Sequence, residues 1–187
     1  MAYSNTQVEI NSNNFNIYSE IKEKSGVDIN MCWQCMTCTN GCPVAHAMDY
    51  NPNVIVEMAR MGLKKELLES SAIWLCVGCN TCALRCPNMI DMAALNDTLR
   101  KMAIEEKVTV ARPGILEFHR AVLRSIRNHG RTHKLGIMLW YKLYKRDWFS
   151  DIAVGTQMMI KRKLSLIPSG IRKIAEIRNI FNAKRLA

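Results

Sequence analysis

All eight cysteines of this chain fall in two runs of one form. Cys32, Cys35, Cys38 and Cys42 with Pro43 read C-x2-C-x2-C-x3-C-P, and Cys76, Cys79, Cys82 and Cys86 with Pro87 repeat that spacing 44 residues later. Three thiols two residues apart wrap a tight turn about one centre. The fourth follows three residues on, ahead of a proline that redirects the chain. This is the ligand run of a protein with two [4Fe–4S] clusters, in which the fourth cysteine of each run ligates the other cluster. The spacing therefore predicts one cluster on Cys32, Cys35, Cys38 and Cys86, and a second on Cys76, Cys79, Cys82 and Cys42. Structural zinc takes cysteines in C-x2-C pairs, which a third cysteine and a C-P ending fit poorly. Disulfides belong to oxidising compartments. Once two clusters are ligated, no cysteine is left over as a nucleophile.

The charge of the chain is divided along its length. Its 187 residues carry a net charge of +10, yet residues 1–110 sum to −3 and residues 111–187 to +13. All of the basic excess lies in the half without cysteines, which marks a boundary. We expect an N-terminal arm with a short helix at 1–30, a two-cluster domain at 31–110 and a basic helical extension at 111–187. Met1 to Asn14 is polar, with no apolar segment behind a basic start, so no secretory signal is expected. No apolar run approaches the ~18 to 20 residues that cross a bilayer; Leu135 to Tyr144 is too short and contains Lys142. The expected location is the cytoplasm, where thiols stay reduced.

The segments between the runs read as helix. Phe15, Ile17, Tyr18 and Ile21 form a short helical pattern that Gly26 ends. Asn51 is placed to cap a helix opened by Pro52, with Ile55, Met58 and Ala59 on one face and Gly62 behind. Leu63, Leu67 and Leu68 mark a second short helix. Asp91 caps a longer one, whose apolar positions are Met92, Leu95, Leu99 and Met102. Alternating Val, Ile and Thr are scarce, which argues against a β-containing ferredoxin. The expected fold is all-α, a helical ferredoxin domain with two [4Fe–4S] clusters and a basic helical extension. In that extension Pro113 opens a helix with Ile115, Phe118, Val122 and Ile126 as its apolar face, Arg120, Arg124 and Arg127 as a basic stripe, and Gly130 as its stop. Pro168-Ser-Gly170 breaks the chain before a basic amphipathic helix from Ile171 to about Phe181.

Other residues near the runs carry weaker signals. Gly41 and Gly78 are expected to relieve crowding where the backbone passes the inorganic core. Trp33 and Trp74 either shield clusters from water or serve as ordinary core aromatics. His46, His119, His129 and His133 show no ligand spacing and receive no role.

Cys32-Trp-Gln-Cys-Met-Thr-Cys-Thr-Asn-Gly-Cys-Pro43 and Trp74-Leu-Cys-Val-Gly-Cys-Asn-Thr-Cys-Ala-Leu-Arg-Cys-Pro87 resemble the C subunit of CoB–CoM heterodisulfide reductase. The likeness continues through Asp91 to Lys107, Phe118-His119 and His129-Gly-Arg131. It implies a helical ferredoxin fold, two [4Fe–4S] clusters on the eight cysteines, and an electron-transfer subunit that itself catalyses nothing. By this resemblance, electrons would come from a flavin-containing A subunit that bifurcates them. They would pass to a catalytic B subunit that reduces the mixed disulfide of coenzymes M and B in methanogenesis. A hydrogenase or formate dehydrogenase would stand further upstream. The cysteine runs also suit iron–sulfur subunits of glycerol-3-phosphate, lactate, succinate-type or sulfur-metabolising oxidoreductases. The plant-type C-x4-C-x2-C motif of the succinate-type subunits and the cysteine-rich catalytic half of the fused enzymes are absent.

The basic extension admits a different class of function. A basic amphipathic helix suits a membrane surface or a nucleic acid. The aromatics from Trp140 to Trp148 are interleaved with aliphatics as in a packed helix, and no nucleic-acid recognition motif appears. Docking onto an acidic partner surface in a hetero-oligomer accounts better for the charge.

Overall fold

The computed structural model describes residues 16–145, 157–158, 160–161, 170–171 and 173–183. Phe15, Trp148, Phe149 and the Pro168–Ser169 break expected from the sequence lie outside the described residues. The chain forms two compact units, Met1–Arg112 and Pro113–Ala187. Among the described residues all regular structure is helical, as the sequence predicts.

In the first unit α1 (Asn16–Ser25), α3 (Pro52–Arg60), α4 (Lys64–Glu69), α5 (Ala72–Leu75) and α7 (Met92–Glu105) surround one apolar core. Their buried positions recur with helical period: Ile17 and Ile21, Ile55 and Ala59, Leu67 and Leu68, Leu95, Leu99 and Met102. Two short helices, α2 (Thr37–Asn40) and α6 (Thr81–Arg85), sit inside the cysteine runs and pack on each other. Asp91 caps α7 as predicted, accepting from the N–H of Ala93 at 2.9 Å and of Ala94 at 3.0 Å. Asn51 does not behave as predicted. Its side chain makes no capping bond, and α3 opens on Pro52, whose fixed φ suits the first helical position.

Charges tie the ends of these helices together. Lys24 pairs with Glu20 at 3.0 Å and Glu105 at 2.9 Å, while Lys64 pairs with Glu20 at 3.0 Å and Glu106 at 2.6 Å. Burial raises the Glu20 pKa, but the bonds from Lys64 and Lys24 outweigh it and hold the carboxyl below its ordinary value. Such a network shares the ordering of each side chain among several partners, unlike an isolated surface pair.

The second unit contains α8 (Pro113–His129), α9 (Lys134–Lys145) and α10 (Ile174–Ala183). Gly130 ends α8 at φ +74°, the left-handed conformation expected of a helix stop. The apolar face expected of α8 is only partly right. Its buried positions are Ala121 and Ser125, and Phe118 is exposed. The reason is polar: Ser125 Oγ accepts the His133 N–H at 2.8 Å and donates to the Arg131 carbonyl at 3.2 Å, drawing the turn into α9 onto that side. Phe118 meets Tyr141 edge-on at 5.9 Å, and the Arg124 guanidinium lies 4.1 Å over the Trp140 ring. The final helix begins at Ile174, three residues later than the sequence suggests.

Candidate metal centres

The two cysteine runs fold alike. Gln34 and Gly78, two residues after the first cysteine of each run, have φ of 55° and 63°; Met36 and Asn80, two residues further, have φ of 60° and 57°. Each run therefore turns twice through the left-handed region before entering its short helix at Thr37 or Thr81. Gly78 adopts this conformation without steric cost. Gln34, which has a Cβ, is held in it by its side chain. The Gln34 amide donates to the Glu57 carboxylate at 3.0 Å and the Asn53 carbonyl at 3.2 Å, and accepts from Asn53 Nδ2 at 3.2 Å. Asn53 in turn accepts the Thr39 hydroxyl at 2.6 Å. This network fixes the first run on the start of α3.

Two cavities open beside the runs. Cys32, Cys35, Cys38 and Cys86 line the first, and Cys42, Cys76, Cys79 and Cys82 line the second. Each cavity is thus faced by three cysteines of one run and the fourth of the other. Among the described residues, the cysteines are the only ionisable side chains in either wall; apolar Val56, Ile90 and Met92 stand in the first, and Val44, Met48 and Met92 in the second, with neutral polar side chains in both. Four soft thiol donors in an otherwise uncharged wall fit an iron–sulfur cluster, not a hard cation that needs carboxylates.

The thiols are prepared unequally. The Thr37 hydroxyl lies 3.3 Å from Cys35 Sγ, and the Thr81 hydroxyl 3.5 Å from Cys79 Sγ; these bonds draw both thiols below their ordinary pKa. Burial pushes Cys38 up, and pushes Cys82 up to about 11. In each run the exposed second cysteine is thus held more acidic than the sheltered third. The Gln34 N–H also points at Cys32 Sγ, at 3.4 Å.

Two expectations change here. Gly41 does make room, but for a side chain: a Cβ there would lie 3.2 Å from the Thr37 carbonyl and 3.3 Å from Arg85 Nη1. Gly78 lines the second cavity, and no protein atom lies within 4 Å of such a Cβ; its φ of +63° by itself favours glycine there. Trp33 lines the first cavity yet is 73% exposed, whereas Trp74, 2% exposed, is a core residue. Sequence reasoning passed over Gln34, Thr37, Thr39, Asn53 and Thr81; the visible signal was the Thr that precedes the third cysteine in both runs. It also passed over Asp49, whose carboxylate caps α5 from 22 residues away, and nothing in the local sequence announces that contact.

Residues 28–90, with their eight cysteines, match the 4Fe-4S dicluster domain family, a class whose two clusters suit the two four-cysteine cavities. Within that class, the resemblance to the C subunit of heterodisulfide reductase is borne out. Over 71 residues, 38% of each chain, the protein is 37% identical to the C subunit of the H(2):CoB-CoM heterodisulfide,ferredoxin reductase of Methanothermobacter thermautotrophicus. It is also 37% identical over 90 residues to the C subunit of the Ferredoxin:CoB-CoM heterodisulfide reductase of Methanosarcina acetivorans, covering 48% of this chain and 36% of the relative. With the C2 subunit of the H(2)/formate:CoB-CoM heterodisulfide,ferredoxin reductase of Methanococcus maripaludis it shares 33% over 91 residues, 49% of this chain and 48% of that one. The chain spans less than half the length of these three relatives. Among the described residues no helix is long and apolar enough to cross a membrane.

Proposed function

We propose that this chain is the electron-relay subunit of a heterodisulfide reductase complex. Cys32, Cys35, Cys38 and Cys86 hold one [4Fe–4S] cluster, and Cys42, Cys76, Cys79 and Cys82 hold the other. The observation that carries the reading is the lining of the two cavities by those same two sets of four cysteines. A bound [4Fe–4S] cluster supplies one-electron transfer without bond making in the protein. The chain's own residues do the rest. The Thr37 and Thr81 hydroxyls lie beside the Cys35 and Cys79 sulfurs and would donate to them once those thiols ligate iron as thiolates, and Gln34 and Asn53 lock the first run in place. Met92 lines both cavities, so one apolar side chain screens both from water.

The donor in this reading is a flavin-containing A subunit and the acceptor a catalytic B subunit that reduces the coenzyme M–coenzyme B heterodisulfide in methanogenesis. A hydrogenase or formate dehydrogenase feeds the complex, and the whole assembly works in the cytoplasm. The names of the relatives support the reaction. The extension at 111–187 is the docking element. Its three α8 arginines, Arg120, Arg124 and Arg127, stand beside exposed Leu123, a combination suited to a partner surface that is acidic with apolar spots.

The test is anaerobic purification of the chain from native cells. The preparation should be brown, absorb broadly near about 400 nm, bleach with dithionite, and carry about eight iron atoms per chain. It should bring flavin-bearing and cysteine-rich partners with it. A colourless, iron-free protein under strict anaerobiosis would sink the proposal. Cys86→Ser tests the crossed sets: it should disturb the cluster of Cys32, Cys35 and Cys38, and survival of that cluster's EPR signal would refute the crossing.

A further inference from the structure

Helices α3 and α7 occupy matching places, each following a cysteine run and each lining the cavity faced by three cysteines of that run. Counted from their first residues, they carry one pattern with one change. The fifth residue is Val56 in α3 and Asn96 in α7; the sixth is Glu57 or Asp97; the ninth is Arg60 or Arg100. Val56 lines the first cavity and Asn96 the second. In both helices the sixth and ninth residues form an ion pair, at 3.1 Å in α3 and 2.9 Å in α7.

The two pairs face opposite ways. In α3 the carboxylate makes the inward contact, since Glu57 accepts from Gln34 in the first cysteine run. In α7 the guanidinium makes it. Arg100 donates to the carbonyls of Ile73 and Cys76, at the entry to the second run. The Arg100 side chain is 14% exposed, while its partner Asp97 is 63% exposed and screened by solvent. Asn96 is 6% exposed, and its side chain forms no hydrogen bond among the described residues; its Oδ1 is buried without a partner. A buried amide with no internal partner is costly to keep. Because Asn96 lines the second cavity, its amide is placed to donate to a sulfur acceptor there.

Reducing a cluster adds a negative charge. A nearby cation and a donor to sulfur favour that charge, and a nearby carboxylate opposes it. The first cavity has Val56 in its wall and Glu57 one contact behind it, on Gln34, partly offset by the Gln34 N–H bond to Cys32 Sγ at 3.4 Å. The second has Asn96 in its wall and Arg100 one contact behind it, on the Cys76 carbonyl. We propose that Asn96 and Arg100 set the cluster of the second cavity at the higher reduction potential. An electron entering the domain then comes to rest on the cluster of Cys42, Cys76, Cys79 and Cys82. Arg100 acts through the Cys76 backbone and is a positioning residue. The inference rests on the two-cluster reading above.

The test is an EPR-monitored redox titration of the full, cluster-loaded chain, with iron counted first. About eight irons per chain keeps the two-cluster reading; fewer in the parent protein overturns that reading itself. The two one-electron waves are assigned with Cys79→Ser, which moves or removes the wave of its own cluster. That wave should be the higher one, and finding it lower overturns the inference. Asn96→Val, which copies the first cavity, and Arg100→Gln should each lower this wave. The expected shift is about tenfold in the reduction equilibrium, about 59 mV for one electron, with the other wave unmoved. Arg100→Lys, which keeps the charge, should restore it. Glu57→Gln should raise the lower wave instead, and it decides the matter if an α7 variant loses its clusters. Waves that stay in place in Asn96→Val, Arg100→Gln and Glu57→Gln, with iron content intact, refute the proposal.

Discussion

The carboxylate of Asp49 accepts the backbone N–H of Ser71 at 2.6 Å, across 22 residues of chain. The same carboxylate takes the Ala72 N–H at 2.9 Å and the Ser70 hydroxyl at 3.0 Å. It thereby caps α5, which leads directly into Cys76. A residue just after the first cysteine run thus positions the start of the second.

Asp49→Asn should lower stability by about 1 to 2 kcal/mol, the range for loss of a charged cap whose outer side still meets water. Burial raises the Asp49 pKa, but the bonds from Ser71, Ser70, Tyr50 and Ala72 prevail and hold it below its ordinary 3.8. The contribution is then full above pH 3.8 and is lost as pH falls through the lowered folded value. Urea midpoints of parent and variant should differ at pH 7 and converge in acid. A constant gap across that range would assign the loss to shape and not to charge.

Gly41→Ala and Gly78→Ala should separate two roles that look alike in sequence. At Gly78 no protein atom but only the backbone resists, with a cost of about 1 kcal/mol; the iron content should stay near that of the parent, and a drop would mark crowding against the cluster. At Gly41 the added methyl presses on the Thr37 carbonyl and on Arg85. Overpacking of that kind costs about 1 to 3 kcal/mol, and it falls on the contact between α2 and α6. Iron per chain after anaerobic gel filtration should drop for Gly41→Ala alone.

Much of this domain was legible because its strongest constraint is covalent spacing. The helical setting of the cysteine runs, the Asp91 cap, the Leu95–Leu99–Met102 face and the Gly130 stop all follow from local rules, and these appear as read. What could not be read depends on contacts between segments. Gln34 looks like filler until Glu57 and Asn53 are seen to grip it. Asp49 caps a helix more than 20 residues away, and no periodicity encodes such a reach. The α8 face was misjudged because Ser125, a polar residue by pattern, is buried by hydrogen bonds to the turn that follows it.

Thr37→Val and Thr81→Val remove the hydroxyls beside Cys35 and Cys79. Each should lower the reduction potential of its own cluster and leave the other in place, because a hydrogen bond to sulfur stabilises the reduced, more negative state. Equal and parallel shifts of both waves from either variant would show that the two cavities are not electrically separable at this level.

Gly130→Ala should destabilise the second unit. The position needs φ +74°, and an added methyl would press closer than van der Waals contact on Ile171. Strain and overpacking together predict a loss of about 2 to 4 kcal/mol. Proteolysis should then cut within residues 113–187, while the cluster absorption of the first unit persists. Loss of colour in step with cleavage would contradict the division into units.

The first cavity begins with Cys32, the earliest cysteine in the chain, and is completed by Cys86, the last. During synthesis the opening three thiols leave the ribosome without their fourth partner and stay incomplete until the second run has emerged. With the proposed ligand sets, neither metal centre can close before the second run has emerged. Delivery of iron and sulfide would then await both runs, and a nascent chain stalled between them would offer the assembly machinery no closed site at all.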